Sequence, residues 1–132
     1  MREIVQKLAK VEKEVALEKG TFNLFALVLR EDAPGLWDLL VAARWVQENK
    51  ELALKYIAAK IKKVLTSQEI MNLSRIVVIE QDNPALKALQ KTIHVEESVV
   101  ELQDSMLFGL PIKHAYIIAS RGDKEPARAT QK

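Results

Sequence analysis

The alternation of short apolar segments and helical segments between residues 36 and 103 restricts the fold of this chain more than any other feature. Three apolar runs, each too short to be read as a helix, alternate there with two segments of helical periodicity. A crossover that contains a helix favours parallel strands joined in a right-handed sense. The pattern therefore predicts an α/β protein in which residues 36–103 contribute three strands to one sheet.

Two consecutive strands lie on either side of this alternation, so the sheet is expected to be mixed. Pro34 and Gly35 suit the central positions of a type II turn, which predicts an antiparallel hairpin from the first two strands. The last two strands are expected to be antiparallel as well. The expected strands are 21–30, 36–45, 75–80, 98–103 and 112–120, and the expected helices are 3–19, 50–65, 67–73 and 84–93.

The helix boundaries are marked by capping residues. Asn49 suits the N-cap of the second long helix, and Thr66 with Glu69 forms a capping box for the short helix that follows. Asp82 or Asn83 suits the N-cap of the last helix. The expected order is α-β-β-α-(α)-β-α-β-β, with helices packed on a sheet of about five strands.

Length and composition indicate one α/β domain over residues 1–120. The polar segment 121–132 is expected to be a disordered tail. The chain contains no cysteine, which excludes disulfides, thiolate nucleophiles and cysteine-bound metal clusters. No stretch approaches the roughly 20 apolar residues of a membrane span, and the first residues lack the apolar core of a signal peptide. We therefore expect a cytoplasmic protein.

The charge distribution gives little support for nucleic-acid binding. The net charge is +2, and charges of both signs occur in both halves of the chain. Lysines between residues 55 and 63 lie off the apolar helix face, but no aromatic residues alternate with them to stack on bases. The lysines concerned are Lys55, Lys60, Lys62 and Lys63. Weak nucleic-acid binding through them is a second alternative function.

Asp38 raises a specific question because it lies inside an apolar run. It is expected near the start of the second strand, whereas Glu80 and Asp82 follow the end of a parallel strand. A strand of six residues is about 20 Å long, so these acids cannot share a metal or a reacting group with Asp38. Arg75 begins the neighbouring parallel strand at the same edge. We expect Asp38 to pair with it or with the backbone.

The carboxyl edge of the sheet is the expected location of any ligand site, as in open α/β sheets generally. The candidate catalytic residues are Asp82, Asp104 and His114, and the candidate ligand-binding residues are Arg44, Trp45, Asn83 and Lys113. For Asp82 and Asn83, helix capping is the favoured alternative to a role in a site. The two histidines, 94 and 114, lack the spacing of a metal motif, so no metal and no cofactor are expected.

The motifs favour a binding role over catalysis. The chain has no glycine-rich phosphate loop and no G-x-S-x-G motif, and its glycines are isolated. The leading expectation is therefore a non-catalytic binding or assembly module that self-associates. The alternative is a hydrolase or a phosphodiesterase-like enzyme at the carboxyl edge of the sheet.

Two apolar features predict a homodimer. The first helix carries a narrow stripe that includes Ile4, Leu8 and Val11, close to a coiled-coil pattern. Residues 104–111 are expected to form the loop between the last two strands, but the segment 105–111, with Met106 and Phe108, is too apolar for a free loop. It must cover the domain's own core or contact another chain, and the sequence leaves both alternatives open.

Overall fold

The fold is a five-stranded mixed sheet with helices on both faces, as predicted, and the computed structural model describes residues 1–122. The predicted tail lies almost entirely outside these residues. The helices are α1 (Arg2–Lys19), α2 (Arg44–Glu48), α3 (Lys50–Val64), α4 (Ser67–Ile70) and α5 (Pro84–Thr92). The strands are β1 (Leu24–Arg30), β2 (Trp37–Ala42), β3 (Leu73–Val78), β4 (Val100–Leu107) and β5 (Leu110–Ser120).

The strand order is β3-β2-β1-β5-β4. Strands β2 and β3 are parallel, whereas β1 is antiparallel to both of its neighbours and β4 is antiparallel to β5. The predicted hairpin between β1 and β2 is confirmed. Leu36 N–H donates to Ala33 O (3.3 Å), and Gly35 has φ +85°, which fits the third residue of a type II turn.

The predicted caps are also confirmed. Asn49 Oδ1 accepts from Leu52 N–H, and Asn83 Oδ1 accepts from Ala85 N–H. Thr66 and Glu69 form the reciprocal capping box of α4. These bonds satisfy amide groups in the first turn of each helix that have no partner within the helix.

Strand β2 is shorter than predicted, because the chain turns into α2 after Ala43. Arg44 and Trp45 therefore begin a helix and do not continue the strand. Val46 is buried and the Trp45 ring contacts Phe22, so this helical turn closes one end of the core. A short helix that directly follows a strand cannot be recognised within one apolar run. Periodicity does not distinguish a strand from a helix over so few residues.

The predicted direction of β4 is wrong. The connection from β3 to β4 leaves β3 and enters β4 at the same end of the strands. Strand β4 therefore runs antiparallel to β2 and β3. Helix α5 crosses the sheet from one edge strand towards the other, over four strand intervals of about 4.8 Å each. The crossover rule fails here because β2, β1 and β5 lie between the two connected strands.

Residues 104–111 are not a loop, which corrects the prediction for this segment. β4 continues to Leu107, a two-residue turn follows at Phe108 and Gly109, and β5 begins at Leu110. Both turn residues have positive φ, +53° and +76°, as in a type I′ turn. Phenylalanine is not a residue that this turn favours, which explains why the turn could not be recognised from the sequence.

The two faces of the sheet carry separate cores. Helices α1 and α3 pack on one face, where Ile4, Leu8 and Val11 are all buried in the core of this chain. These three candidate interface residues therefore do not form a free surface. The shorter helix α5 packs on the other face through Leu86 and Leu89. No helix within residues 1–122 has the length and apolarity needed to cross a membrane.

Candidate functional site

The carboxyl edge of β2 and β3 carries some of the predicted site residues in structural roles. Asn83 caps α5, and exposed Asp82 precedes it. Trp45 packs against Phe22 and Tyr56, and Arg44 lies beside it at the start of α2. At this edge, therefore, Asn83 serves as a helix cap and Trp45 packs against the core, whereas Asp82 and Arg44 are exposed.

Amide side chains link the segments at this edge. Gln81 Nε2 donates to Asn23 Oδ1 (3.0 Å), and Asn23 Nδ2 donates to Arg121 O (3.2 Å). Asn23 is buried, and these bonds join the start of β1 to the segments that follow β3 and β5.

The other predicted residues lie at the opposite edge. Because β4 ends and β5 begins there, Asp104, Lys113 and His114 are separated from Asp82 by the length of the sheet. A six-residue strand spans about 20 Å, too far for shared acid–base chemistry. The structure thus does not bring the three candidate catalytic residues together, because β4 runs opposite to the predicted direction.

His114 has different partners from those expected. Its Nε2 contacts the Glu101 carboxylate on β4, and its ring lies 5.7 Å from Trp37 and 4.8 Å from Tyr116, centroid to centroid. Burial raises the pKa of Tyr116, and the Glu101 carboxylate raises it further. This cluster lies on the α1 face, and it lines none of the cavities described below.

Asp38 is buried and paired, as one of the two sequence alternatives predicted. Arg75 Nε lies 3.3 Å from Asp38 Oδ1, and Arg75 Nη2 donates to Oδ2 at 3.4 Å. Arg30 approaches from β1, with Nε 3.8 Å from Asp38 Oδ2 and 3.2 Å from the exposed Asp32 carboxylate. Asp38 itself is 5% exposed. The carboxylate is thus flanked by two guanidinium groups on the α5 face.

An apolar cavity of about 90 Å³ opens next to this charge cluster. It lies between the sheet and the tip of the β4–β5 hairpin. Its polar lining consists of Asp38, Arg30 and Arg75, and the rest is aliphatic or aromatic. The apolar lining residues are Val28, Leu40, Val77, Ile79, Leu107, Phe108, Leu110 and Ile112.

The hairpin tip reaches over this cavity because β4 and β5 change face near Asp104 and Lys113. His114 contacts the α1 face, whereas Ile112, two residues earlier, is in the core of the α5 face. The pairing of β5 with β1 shifts register at this point, and Asp104 has φ +52°. Such irregularities increase local twist and redirect side chains.

Sequence reasoning identified Asp38 and Arg75 but missed Arg30. The turn between β1 and β2 could have indicated that Arg30 lies near Asp38. A tight turn over residues 33–36 sets the hairpin register, which pairs Val28 with Asp38. Side chains alternate along a strand, so Arg30 lies on the same face as Val28, diagonal to Asp38. The cavity was not predictable, because it depends on the twist of the hairpin tip.

A second apolar depression, here called the α5 groove, runs between α5 and the β4–β5 hairpin and has a volume of about 470 Å³. Leu107 and Phe108 separate it from the cavity and contact both. Met106, at its border, is 66% exposed. The groove is lined by Ala85, Ala88, Leu89, Thr92, Ile93, Leu102, Ser105, Met106, Leu107 and Phe108.

The lysines of the second long helix are partly engaged with acids. Lys60 Nζ lies 3.1 Å from Glu18 of α1, and Lys55 lies 4.0 Å from Glu51. Lys62 is exposed near the end of α3. Within residues 1–122, no group of three or more acidic or histidine side chains is placed to hold a metal ion.

Comparison of this chain with protein families, with curated proteins and with solved structures found no match in any of the three.

Proposed function

We propose that the protein is a non-catalytic binding module that self-associates as a homodimer through the α5 groove. The observation that carries the proposal is the position of Met106. This large apolar side chain is 66% exposed at the border of the apolar α5 groove. A projecting residue next to a depression is the arrangement that a two-fold interface requires, since each copy contributes both parts to the other.

The walls of the groove suit mutual insertion of Met106. Ala85 and Ala88 have small side chains and leave room beside α5. Methionine is flexible and fills irregular apolar spaces well. Leu110, also exposed, extends the apolar area at the hairpin tip. A stable dimer of standard size buries about 800 Å² per partner, so residues beyond the groove must contribute.

The charges beside the groove are complementary across a two-fold axis. Helix α5 carries Lys87 and Lys91 on its exposed side and has no acidic residue. Strand β4 has no basic residue, and its Asp104 immediately precedes Ser105, which lines the groove. If two copies meet in the groove, α5 of one copy faces β4 of the other, which favours this orientation over competing ones.

The experiment compares Met106→Asp with Leu17→Asp by sedimentation equilibrium. Both residues are exposed, and Leu17 lies on α1, on the opposite side of the sheet. We expect Met106→Asp to give a folded monomer, because it places a charge in the interface without a partner. Leu17→Asp should keep the dimer. A dimer that persists in Met106→Asp, or a monomeric unaltered protein at high concentration, would contradict the proposal.

A cytoplasmic location and a limited role of nucleic acid as a partner remain predictions. The enzymatic alternative receives no geometric support from its candidate residues, since Asp82 lies at one edge of the sheet and His114 near the other.

A further inference from the structure

We propose that the cavity beside Asp38 binds a small organic carboxylate with a compact, branched apolar body. The carboxylate would lie at the polar end of the cavity, against Arg30 and Arg75. The apolar body would occupy the space between the sheet and the hairpin tip. This site is separate from the α5 groove, because Met106 does not line the cavity.

The charge of the cavity wall favours an anion. Among the described residues that line it, two are arginines and one is an aspartate. Asp32 neutralises part of the Arg30 charge from outside the cavity, but its own side chain is 72% exposed. Arg30 Nε is buried and has no hydrogen-bond acceptor in suitable geometry. A ligand carboxylate would supply one, in a charge-assisted hydrogen bond.

Arg75 can serve Asp38 and a ligand at once. Its guanidinium uses Nε and Nη2 towards Asp38, and its side chain is 54% exposed. A guanidinium has five N–H donors in a planar fork, so donors remain for a second carboxylate. The buried Asp38 holds this fork at the edge of the cavity. Asp38 is therefore a positioning residue in the proposed site.

The size of the cavity limits the apolar body. A dry protein cavity of about 150 Å³ accommodates benzene. The cavity of this protein, about 90 Å³, is smaller and suits a branched alkyl group. Its lining of Val28, Leu40 and Val77 offers no hydrogen-bonding side chain to a polar body. The expected ligand class is thus the short branched-chain carboxylates.

Phe108 gives independent support for a functional cavity. It has φ +53°, a conformation that is unfavourable for a bulky residue and that asparagine or glycine adopts readily. Its ring lines the cavity, where asparagine would leave space. Strain that the sequence retains at a cavity wall is typical of ligand-binding regions.

The test measures the thermal unfolding midpoint with three related probes: isovalerate, isoamyl alcohol and isoamylamine. A ligand that binds only the folded state raises this midpoint with concentration. We expect isovalerate to raise it, the alcohol to raise it less, and the amine to have no effect. No shift with isovalerate, or an equal shift with the amine, would overturn the proposal.

Two variants locate the effect. Arg30→Gln removes one cation while Asp38 keeps its pair with Arg75, so the fold should persist. Val77→Phe fills the cavity from a half-buried position without changing any charge. We expect both to abolish the isovalerate shift. Arg2→Gln, at an exposed position in α1, is the matched control and should retain it.

The same probes separate this site from the proposed dimer interface. Met106→Asp should keep the full isovalerate response whether or not it changes the oligomeric state. If Arg30→Gln or Val77→Phe responds like the unaltered protein, or if Met106→Asp loses the response, the ligand does not bind in the cavity.

Discussion

Two buried carboxylates of this protein have different surroundings. Asp38 has guanidinium groups within 4 Å on two sides. Glu12, on α1, is equally buried, and the charges that act on it are those of Arg121, Lys13 and Glu97. Burial raises the pKa of Glu12, although Arg121 and Lys13 act in the opposite direction. The pH dependence of stability should reveal this difference.

The first prediction is that Glu12→Gln changes the stability of the protein more favourably at neutral pH than in acid. The pKa of Glu12 is raised in the folded state, so the folded state binds a proton more tightly than the unfolded state. The stabilisation that comes from this tighter proton binding is complete below the unfolded pKa of about 4.5. It is lost as the pH rises through the folded pKa. Unfolding midpoints of both proteins at pH 4 and pH 7 measure it. A difference between the proteins that is independent of pH would contradict the assignment.

The second prediction concerns Glu69, whose pKa shifts in the opposite direction to that of Glu12. Hydrogen bonds from Lys7 Nζ and from Thr66 N–H lower the pKa of its carboxyl group. Its stabilising effect is present above the unfolded pKa of about 4.5 and is lost as the pH falls through the folded pKa. Glu69→Gln should therefore lower the unfolding midpoint at pH 7 and have little effect at pH 3. Glu51→Gln, at an exposed position on α3, is the control and should change neither value.

Whether the partner or the burial of a single residue could be predicted depended on the local geometry of its strand or helix. The pairing of Asp38 with Arg75 was predictable, because both belong to parallel strands and begin at the same edge. The burial of Glu12 was missed, although it lies four residues after Leu8 on the same helix face. In a helix with many charged residues, the composition does not indicate which glutamate is buried.

At the scale of elements, α1 shows how the same pattern supports two structures. A narrow stripe of apolar residues fits both a coiled-coil seam and a helix packed on a sheet. The structure places the stripe on the sheet, where Leu8 and Val15 are fully buried. Two heptads are too short to be stable alone, so the sheet provides the better partner.

The third prediction tests this packing. Leu8→Ala should lower the free energy of unfolding by about 2–5 kcal/mol, the usual effect of removing a buried leucine side chain. Leu17→Ala on the same helix should change it by less than about 0.5 kcal/mol, since Leu17 is 89% exposed. Denaturant titration measures both. Equal effects of the two substitutions would show that α1 does not pack as described.

The β4–β5 hairpin was the element least accessible to sequence reasoning. Its apolar residues were recognised as unusual, but Phe108 and Gly109 do not resemble a favoured turn. The bend at Asp104 then turns Leu107 towards the α5 face. The direction of β4 was missed for a different reason, since three other strands separate it from β3.

The fourth prediction isolates the strain in this turn. Phe108→Ala and Phe108→Asn both remove the ring from the cavity wall. Asparagine tolerates the positive φ of this position, whereas alanine does not. Phe108→Asn should therefore be more stable than Phe108→Ala by about 1 kcal/mol. Equal stabilities in denaturant titration would exclude backbone strain at this residue.

At the scale of the whole molecule, the two faces of the sheet are covered unequally. Two long helices cover one face, whereas α5, nine residues long, shares the other with the hairpin tip. The α5 groove and the cavity both lie on this second face. This asymmetry is the basis for the proposals that the face binds a second copy and a small carboxylate.

The most direct test of the proposed dimer is a distance between copies, measured with spin labels. The chain contains no cysteine, so single-cysteine variants label one position each. Lys91 lies on α5 beside the groove, and Lys62 lies on α3 across the sheet. We predict a dipolar coupling between labels at 91 in two copies, with a shorter distance than between labels at 62. No coupling at position 91, or a shorter distance at position 62, would contradict the assignment of the interface to the α5 face.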